Sequence, residues 1–206
     1  MEEKFVINIG RQLGSGGREI GERLSGLLKV PFFDKELLQI ASQESGLGKE
    51  FFEQADEKNS HNILGGLFSQ NAWANEVYSN YYLSNETLFL IQSDVIRKLA
   101  GEHSCIFIGR CADYVLKENQ RCLNVFINAD LDDRIRRIAE MQQLTENKAI
   151  ELIEKTDKKR ASYYNYYSNK VWGAAESYHM CINSSVLGID ETVKFILQFA
   201  EKKFGL

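Results

Sequence analysis

Several features are scarce in this sequence, and each scarcity closes off a class of protein. Proline occurs once among 206 residues, as Pro31, and no internal repeat or low-complexity tract is present. The four cysteines (Cys105, Cys111, Cys122 and Cys181) are far apart and form no CxxC pair. Three of them fall inside or beside apolar, strand-like runs, which predicts buried free thiols rather than a disulfide framework. The three histidines (His61, His103 and His179) do not cluster with the cysteines, so no zinc site is expected. No apolar run approaches membrane-spanning length, and Met1-Glu2-Glu3-Lys4 leads into a strand rather than a signal peptide. These features predict a reducing compartment, the cytoplasm, and no membrane partner. Net positive charge is lacking as well: the formal balance is −4, which argues against a nucleic acid polymer as partner. An anionic ligand must then be held by local arginines rather than by an overall basic field.

What is present is ordinary in bulk and unusual in one place. A chain of this length with 44% hydrophobic and 26% charged residues suits one globular domain, with room for a small insertion or lid. The unusual place is residues 4–21. Phe5-Val6-Ile7-Asn8-Ile9 reads as a buried strand that breaks into the turn Gly10-Arg11-Gln12-Leu13-Gly14-Ser15-Gly16-Gly17. Ile20, Leu24, Leu27 and Leu28 then recur at helical spacing. Strand, glycine loop and helix is an arrangement that wraps phosphate oxygens. Glycines let backbone N–H groups turn inward without Cβ clashes, and the helix N-terminus adds partial positive charge. Arg11 and Arg18 bracket the loop with planar donors suited to phosphate. The segment reads as a nucleotide-phosphate loop; the alternative is a strand-to-helix turn with no ligand. It departs from the usual G-x-x-x-x-G-K-[ST]. In one register Gly17 stands where Lys belongs and Arg18 where Ser or Thr belongs. In the next, Arg18 takes the Lys position and Glu19 the hydroxyl position.

Along the chain, Val30-Pro31-Phe32-Phe33 reads as a second strand. Asp34 follows, placed either to cap a helix begun by Lys35-Glu36-Leu37-Leu38 or to face a ligand beyond the strand's carboxyl end. From 45 to 82 the pattern loosens, and short helices forming a mobile flap are expected. Leu88, Ile91, Val95, Ile96 and Leu99 mark an amphipathic helix ending before Gly101. Cys105-Ile106-Phe107-Ile108 is a third strand with Gly109-Arg110 at its end, and residues 122–127 form a fourth. In the arginine-rich helix that follows, Arg134 and Arg137 share a face. The plain reading is a solvated basic surface, partly neutralised by Asp132, Asp133 and Glu140. Residues 145–167 read as another helix, in which Asp157 and Arg160 are spaced i, i+3. As a surface ion pair they would contribute well under ~1 kcal/mol.

The run Tyr163-Tyr164-Asn165-Tyr166-Tyr167, with Trp172 beyond, is too aromatic for an ordinary exposed surface. It can pack under a lid, stack on a base or form a subunit interface; packing or a homodimer contact is preferred. Residues 178–183 read as a fifth strand. Ser184-Ser185 and Gly188 lead to a last helix, with Asp190 as its N-cap and Ile189, Val193, Ile196, Leu197, Ala200 and Phe204 as its buried stripe. Five strands alternating with helices predict a parallel sheet covered on both faces.

The order of these pieces resembles the cytidylate kinase-like family, within the P-loop nucleoside monophosphate kinases. The resemblance covers nearly the whole length. It is carried by residues 11–21, Pro31-Phe32-Phe33-Asp34-Lys35-Glu36-Leu37, Gly109-Arg110-Cys111-Ala112-Asp113 and Phe126-Ile127-Asn128-Ala129-Asp130. Asp132-Asp133-Arg134-Ile135-Arg136-Arg137, Asp157-Lys158-Lys159-Arg160 and Ile182-Asn183-Ser184-Ser185 complete it. It implies an α/β fold of three layers (α/β/α, P-loop kinase type) with a five-stranded parallel sheet. The core would be 1–44, 83–139 and 158–206, the acceptor-binding flap 45–82 and the lid approximately 140–157.

The activity implied is ATP-dependent phosphoryl transfer, with Mg2+, to a nucleoside monophosphate such as CMP. A kinase with another acceptor and a catalytically weak nucleotide-binding regulatory protein are the alternatives. By the resemblance, Gly14, Ser15, Gly16, Gly17, Arg18 and Glu19 cradle the ATP phosphates. Arg134 and Arg137 flank the lid, one near the adenine and one near the phosphates. Arg110 takes the acceptor phosphate, Asp157 and Arg160 hold acceptor sugar and phosphate, and Asp34 sits where the acceptor site begins. Arg18, Arg137 and Arg160 would carry the catalytic charge. Ser15, Asp34 and Asp113 are the candidate Mg2+ ligands. Two positions depart from the family's pattern: Ile108 stands where cytidylate kinases have Asp before the Gly-Arg pair, and Ile153 where a lid arginine is usual.

Overall fold

The computed structural model describes residues 3–34, 40 and 73–206, with the backbone alone for 73–85 and 87. The chain divides into two compact units, one of residues 1–34 with 99–206 and one of residues 35–98. In the first unit, the apolar runs become β1 (Val6–Arg11), β2 (Phe32–Phe33), β3 (Cys105–Ile108), β4 (Cys122–Asn128) and β5 (Met180–Asn183). They form one parallel sheet in the order β2-β3-β1-β4-β5. β1 is central, with Ile9 opposite Ile108 on one side and Val125 on the other. The helices of this unit are α1 (Gly17–Leu28), α3 (Ala112–Val115), α4 (Leu131–Gln142), α5 (Glu146–Ser168) and α6 (Ser184–Phe204); α2 (Trp73–Glu102) begins in the second unit.

The alternation of side chains along each strand decides what each face meets. Ile7, Ile9, Ile106, Ile108, Leu123, Val125 and Ile127 point to one face, where Ile20 and Leu24 of α1 and Val193, Ile196 and Ala200 of α6 close the main core. The opposite face is more polar and aromatic. There Phe126 packs edge-on to Trp172 and against Tyr178, and Tyr164 of α5 stacks near Tyr178. The Asn8 amide donates to Asn124 across the same face at 2.8 Å. A parallel sheet with helices on both sides is the outcome.

Several boundaries differ from those the sequence predicts. α2 starts at Trp73 and runs through Gly101 to Glu102, so it replaces part of the expected flap; residues 45–72 lie outside the described residues. Within it, Ile91, Val95, Ile96 and Leu99 share the less exposed side, while Asp94, Arg97 and Lys98 are exposed. α6 is capped at Asn183, whose side chain accepts from the Ser185 amide at 2.9 Å, and it is broken at Gly188, whose φ of 72° is not helical. Asp190 is not the cap: its carboxylate pairs with Arg23 on α1. All four cysteines are free, three of them buried, and burial pushes the Cys105 and Cys111 thiols up to about 12. Among the described residues, no helix is long and apolar enough to cross a membrane.

Candidate functional site

β1 ends at Arg11, and the chain turns through residues 12–16 into α1 at the carboxyl end of the sheet. Gly14 and Gly16 hold φ of 80° and 77°, a left-handed backbone that a side chain disfavours by about 1–2 kcal/mol per residue. Space excludes side chains here too. A Cβ on Gly14 would lie 2.8 Å from the Arg134 carbonyl oxygen, and one on Gly16 would run into Ile189. Ser15 is fully buried, and its hydroxyl donates to the Gln12 carbonyl at 2.9 Å. The first amides of α1 have no carbonyl one turn earlier, so they face the loop as potential donors.

Four side chains from α4 and α5 reach the backbone of this loop. Arg134 Nε donates to the Leu13 carbonyl at 2.8 Å, and Arg137 donates to the Gly14 carbonyl at 2.6 Å. Asp157 accepts from the Leu13 amide at 2.8 Å and from the Arg134 guanidinium, and Arg160 donates to the Arg11 carbonyl at 3.1 Å. The solvated basic face and the surface ion pair are therefore corrected. Arg134 is buried, Arg137 is turned to the loop, and Asp157 lies 3.8 Å from Arg160 within the same contact. Only Arg136 behaves as the plain reading expected, exposed and paired with Asp133.

On the other side of the loop stands Asp34. It pairs with Arg18 at 3.2 Å and Arg11 at 3.5 Å; the Arg18 side chain is 52% exposed and also bonds Glu22, whereas that of Arg11 is 18% exposed. Burial, and then the charges of Arg160, Arg110 and Arg18, hold the Arg11 guanidinium down to about 10 against the opposing pull of Asp34. Burial lowers Arg160 as well, with Arg134 and Arg110 adding to the effect and Asp157 and Asp34 opposing it. Five guanidiniums (Arg11, Arg18, Arg110, Arg134 and Arg160) thus act on one another around two carboxylates. That is a local excess of positive charge in a chain whose formal balance is −4. An anion relieves such a cluster.

The expected site residues therefore gather at one place, with two qualifications. Asp113 is elsewhere: it accepts the Tyr164 hydroxyl at 2.7 Å and lines a cavity of about 270 Å3 with Cys122 and Asn124 at the start of β4. Glu19 pairs with Arg23 on the outer side of α1. The sequence reads Arg11 as a planar donor suited to phosphate, but the resemblance does not count it among the site residues. Its signal was its place at the strand's carboxyl end; its burial against Gly109 and Arg160 depends on distant segments. Among the described residues no group of three His, Cys, Asp or Glu side chains could hold a metal. Mg2+ needs only one or two protein carboxylates when substrate phosphates supply its other oxygens, and Asp34 beside the loop fits that requirement. In the aromatic run, Tyr163 and Tyr166 each pack against Tyr167, while Tyr164 packs against Tyr178.

A model of the cytidylate kinase-like family matches residues 6–186. No curated protein matches the chain. Among solved structures, an uncharacterized protein from Eubacterium ventriosum is 24% identical, with a TM-score of 0.73 over 96% of this chain and 99% of the other. Shikimate kinase from Bacteroides thetaiotaomicron is 16% identical, with a TM-score of 0.52 over 96% and 98%. Shikimate kinase from Acinetobacter baumannii, solved with shikimate, is 15% identical, with a TM-score of 0.50 over 96% and 93%. At these identities the likeness concerns the fold, which is that of P-loop kinases.

Proposed function

Because the chain belongs to the cytidylate kinase-like family, we propose that it transfers the γ-phosphoryl group of ATP to a nucleoside monophosphate, CMP foremost. The observation that supports this most directly is the arginine cluster, with Arg11 driven down to about 10 by burial and by its guanidinium neighbours. Residues 14–18 cradle the ATP phosphates with backbone amides, and the α1 N-terminus adds its partial charge. Arg11 and Arg18 take the part of the absent lysine. Each presents a planar fork to non-bridging oxygens, where lysine would present a point charge. Arg110 and Arg160 hold the acceptor phosphate in line with the γ-phosphate, and Arg137 stands behind the loop at Gly14. Mg2+, when bound, would be held by phosphate oxygens with Asp34 and would supply further charge neutralisation. Phosphoryl transfer of this kind asks the protein for positioning and positive charge rather than covalent chemistry.

A second reading keeps the transfer and changes the acceptor, and Ile108 favours it, since cytidylate kinases carry an acid before the Gly-Arg pair. The test is coupled ADP release from ATP and Mg2+ with a panel of nucleoside monophosphates and, as a non-nucleotide acceptor, shikimate. Turnover with CMP that falls by at least about 100-fold in Arg11→Met and Arg160→Ala supports the first reading. Turnover only with another acceptor selects the second. ATP binding without turnover on any acceptor leaves a nucleotide-binding regulatory protein, and no ATP binding removes both kinase readings.

A further inference from the structure

We infer that Asp157 is a positioning residue that shapes the glycine loop, rather than a ligand of the acceptor sugar. The inference rests on the reading that this loop binds nucleotide phosphates. Both oxygens of the Asp157 carboxylate are turned to the loop assembly. Oδ1 accepts the Leu13 amide at 2.8 Å, and Oδ2 accepts the Arg134 guanidinium, which in turn donates to the Leu13 carbonyl at 2.8 Å. The two polar groups of one residue, Leu13, are thus held by one acid–base pair contributed from α4 and α5. Leu13 immediately precedes Gly14 and its left-handed backbone. A ring of amides can converge on an anion only if the adjoining carbonyls are turned away from it. At this loop three carbonyls are tied to guanidiniums: Arg11 to Arg160, Leu13 to Arg134 and Gly14 to Arg137. Asp157 stands at the centre of that set, because it fixes Arg134 and lies 3.8 Å from Arg160. Its side chain is 15% exposed.

Substituting Asp157 therefore disturbs the donor ring directly and reaches the acceptor side only through Arg160. Asp157→Asn keeps an oxygen for the Leu13 amide and sets an N–H against Arg134. Arg134→Lys keeps the charge and loses the fork that spans Leu13 and Asp157. Titration calorimetry with ATP and with inorganic tripolyphosphate should show both ligands weakened by the same factor, about 10- to 100-fold, in either variant. The double variant should be no weaker than the poorer single one, since the two residues act as a unit. Affinity for CMP should fall by a smaller factor than affinity for tripolyphosphate, since Asp157 meets Arg160 only at 3.8 Å. In ligand-free protein, amide hydrogen exchange of residues 13–17 should quicken in Asp157→Asn while α6 keeps its protection.

Unchanged tripolyphosphate affinity together with unchanged loop exchange overturns the inference, whatever CMP does; weakening of CMP alone would return Asp157 to the acceptor site. If the wild-type protein binds neither ATP nor tripolyphosphate, the kinase reading fails, and hydrogen exchange still decides whether Asp157 holds the loop.

Discussion

Burial pushes the Asp113 carboxyl above its ordinary value, outweighing the Tyr164 hydroxyl at 2.7 Å and the charge of Lys170. A raised acid favours its protonated form in the folded state. Its contribution to stability is therefore full below the unfolded value of 3.8 and is lost as the pH rises through the folded value. Above the folded value the buried charge costs the fold. Asp113→Asn keeps an oxygen for Tyr164 and removes the charge, so its thermal midpoint at pH 7 should rise. The gain should shrink as the pH is lowered through the raised value and vanish near pH 3. A lower midpoint at pH 7 would mean that the charged bond to Tyr164 outweighs burial. Asp113 looks like a metal ligand in sequence because it closes a motif that begins at Gly109. Its partner lies 51 residues on, in a run that reads only as aromatic. Arg11 is the converse case: its place beside the loop was legible, while the burial that gives it its character comes through Arg160, 149 residues away.

Elements were more legible than residues, because periodicity is local. α1, α4, α5 and the strands follow from the spacing of apolar positions, whereas Gly188, which reads as preceding the last helix, breaks it from within. What periodicity misses is competition for a side chain: Asp190 has the composition of a cap, yet Arg23 across the α1–α6 contact claims it. The glycines divide in the same way. Gly14 is needed where it is, with φ of 80° and a carbonyl 2.8 Å from any Cβ. Gly26, within α1, has none of the described residues within 4 Å of a Cβ and no unusual φ. Gly26→Ala should stabilise the ligand-free protein by roughly 0.5–1 kcal/mol, the ordinary cost of glycine in a helix. Gly14→Ala should destabilise it by at least about 1–2 kcal/mol from the backbone conformation alone. Urea unfolding of the two variants measures both. Equal effects would mean that the loop relaxes freely, which its anchoring by Arg134 and Arg137 opposes.

At the scale of the whole molecule, the alternation of strands and helices forecast a covered parallel sheet but not its order. That β1 would sit between β3 and β4 depends on long-range packing that no window of sequence contains. The charge pattern follows the same logic: a formal balance of −4 conceals a cationic cluster assembled from four separate stretches of chain. A small polyphosphate should therefore bind where a long polyanion is repelled. At 100 times its dissociation constant, ATP should stabilise the protein by about 2.7 kcal/mol, or roughly 5–10 °C. Adenosine at the same concentration should give no shift, since the recognition assigned to the loop is of phosphate. Single-stranded oligonucleotides should give none at physiological salt. Raising the salt from about 0.05 to 0.5 M should cut the ATP shift only in part, because Arg11, Arg134 and Arg160 are largely shielded from counter-ions while Arg18 is half exposed. A shift that adenosine reproduces would place the binding energy on the base, and one abolished by salt would place it on exposed charge. Either result would move the site away from the arginine-lined loop.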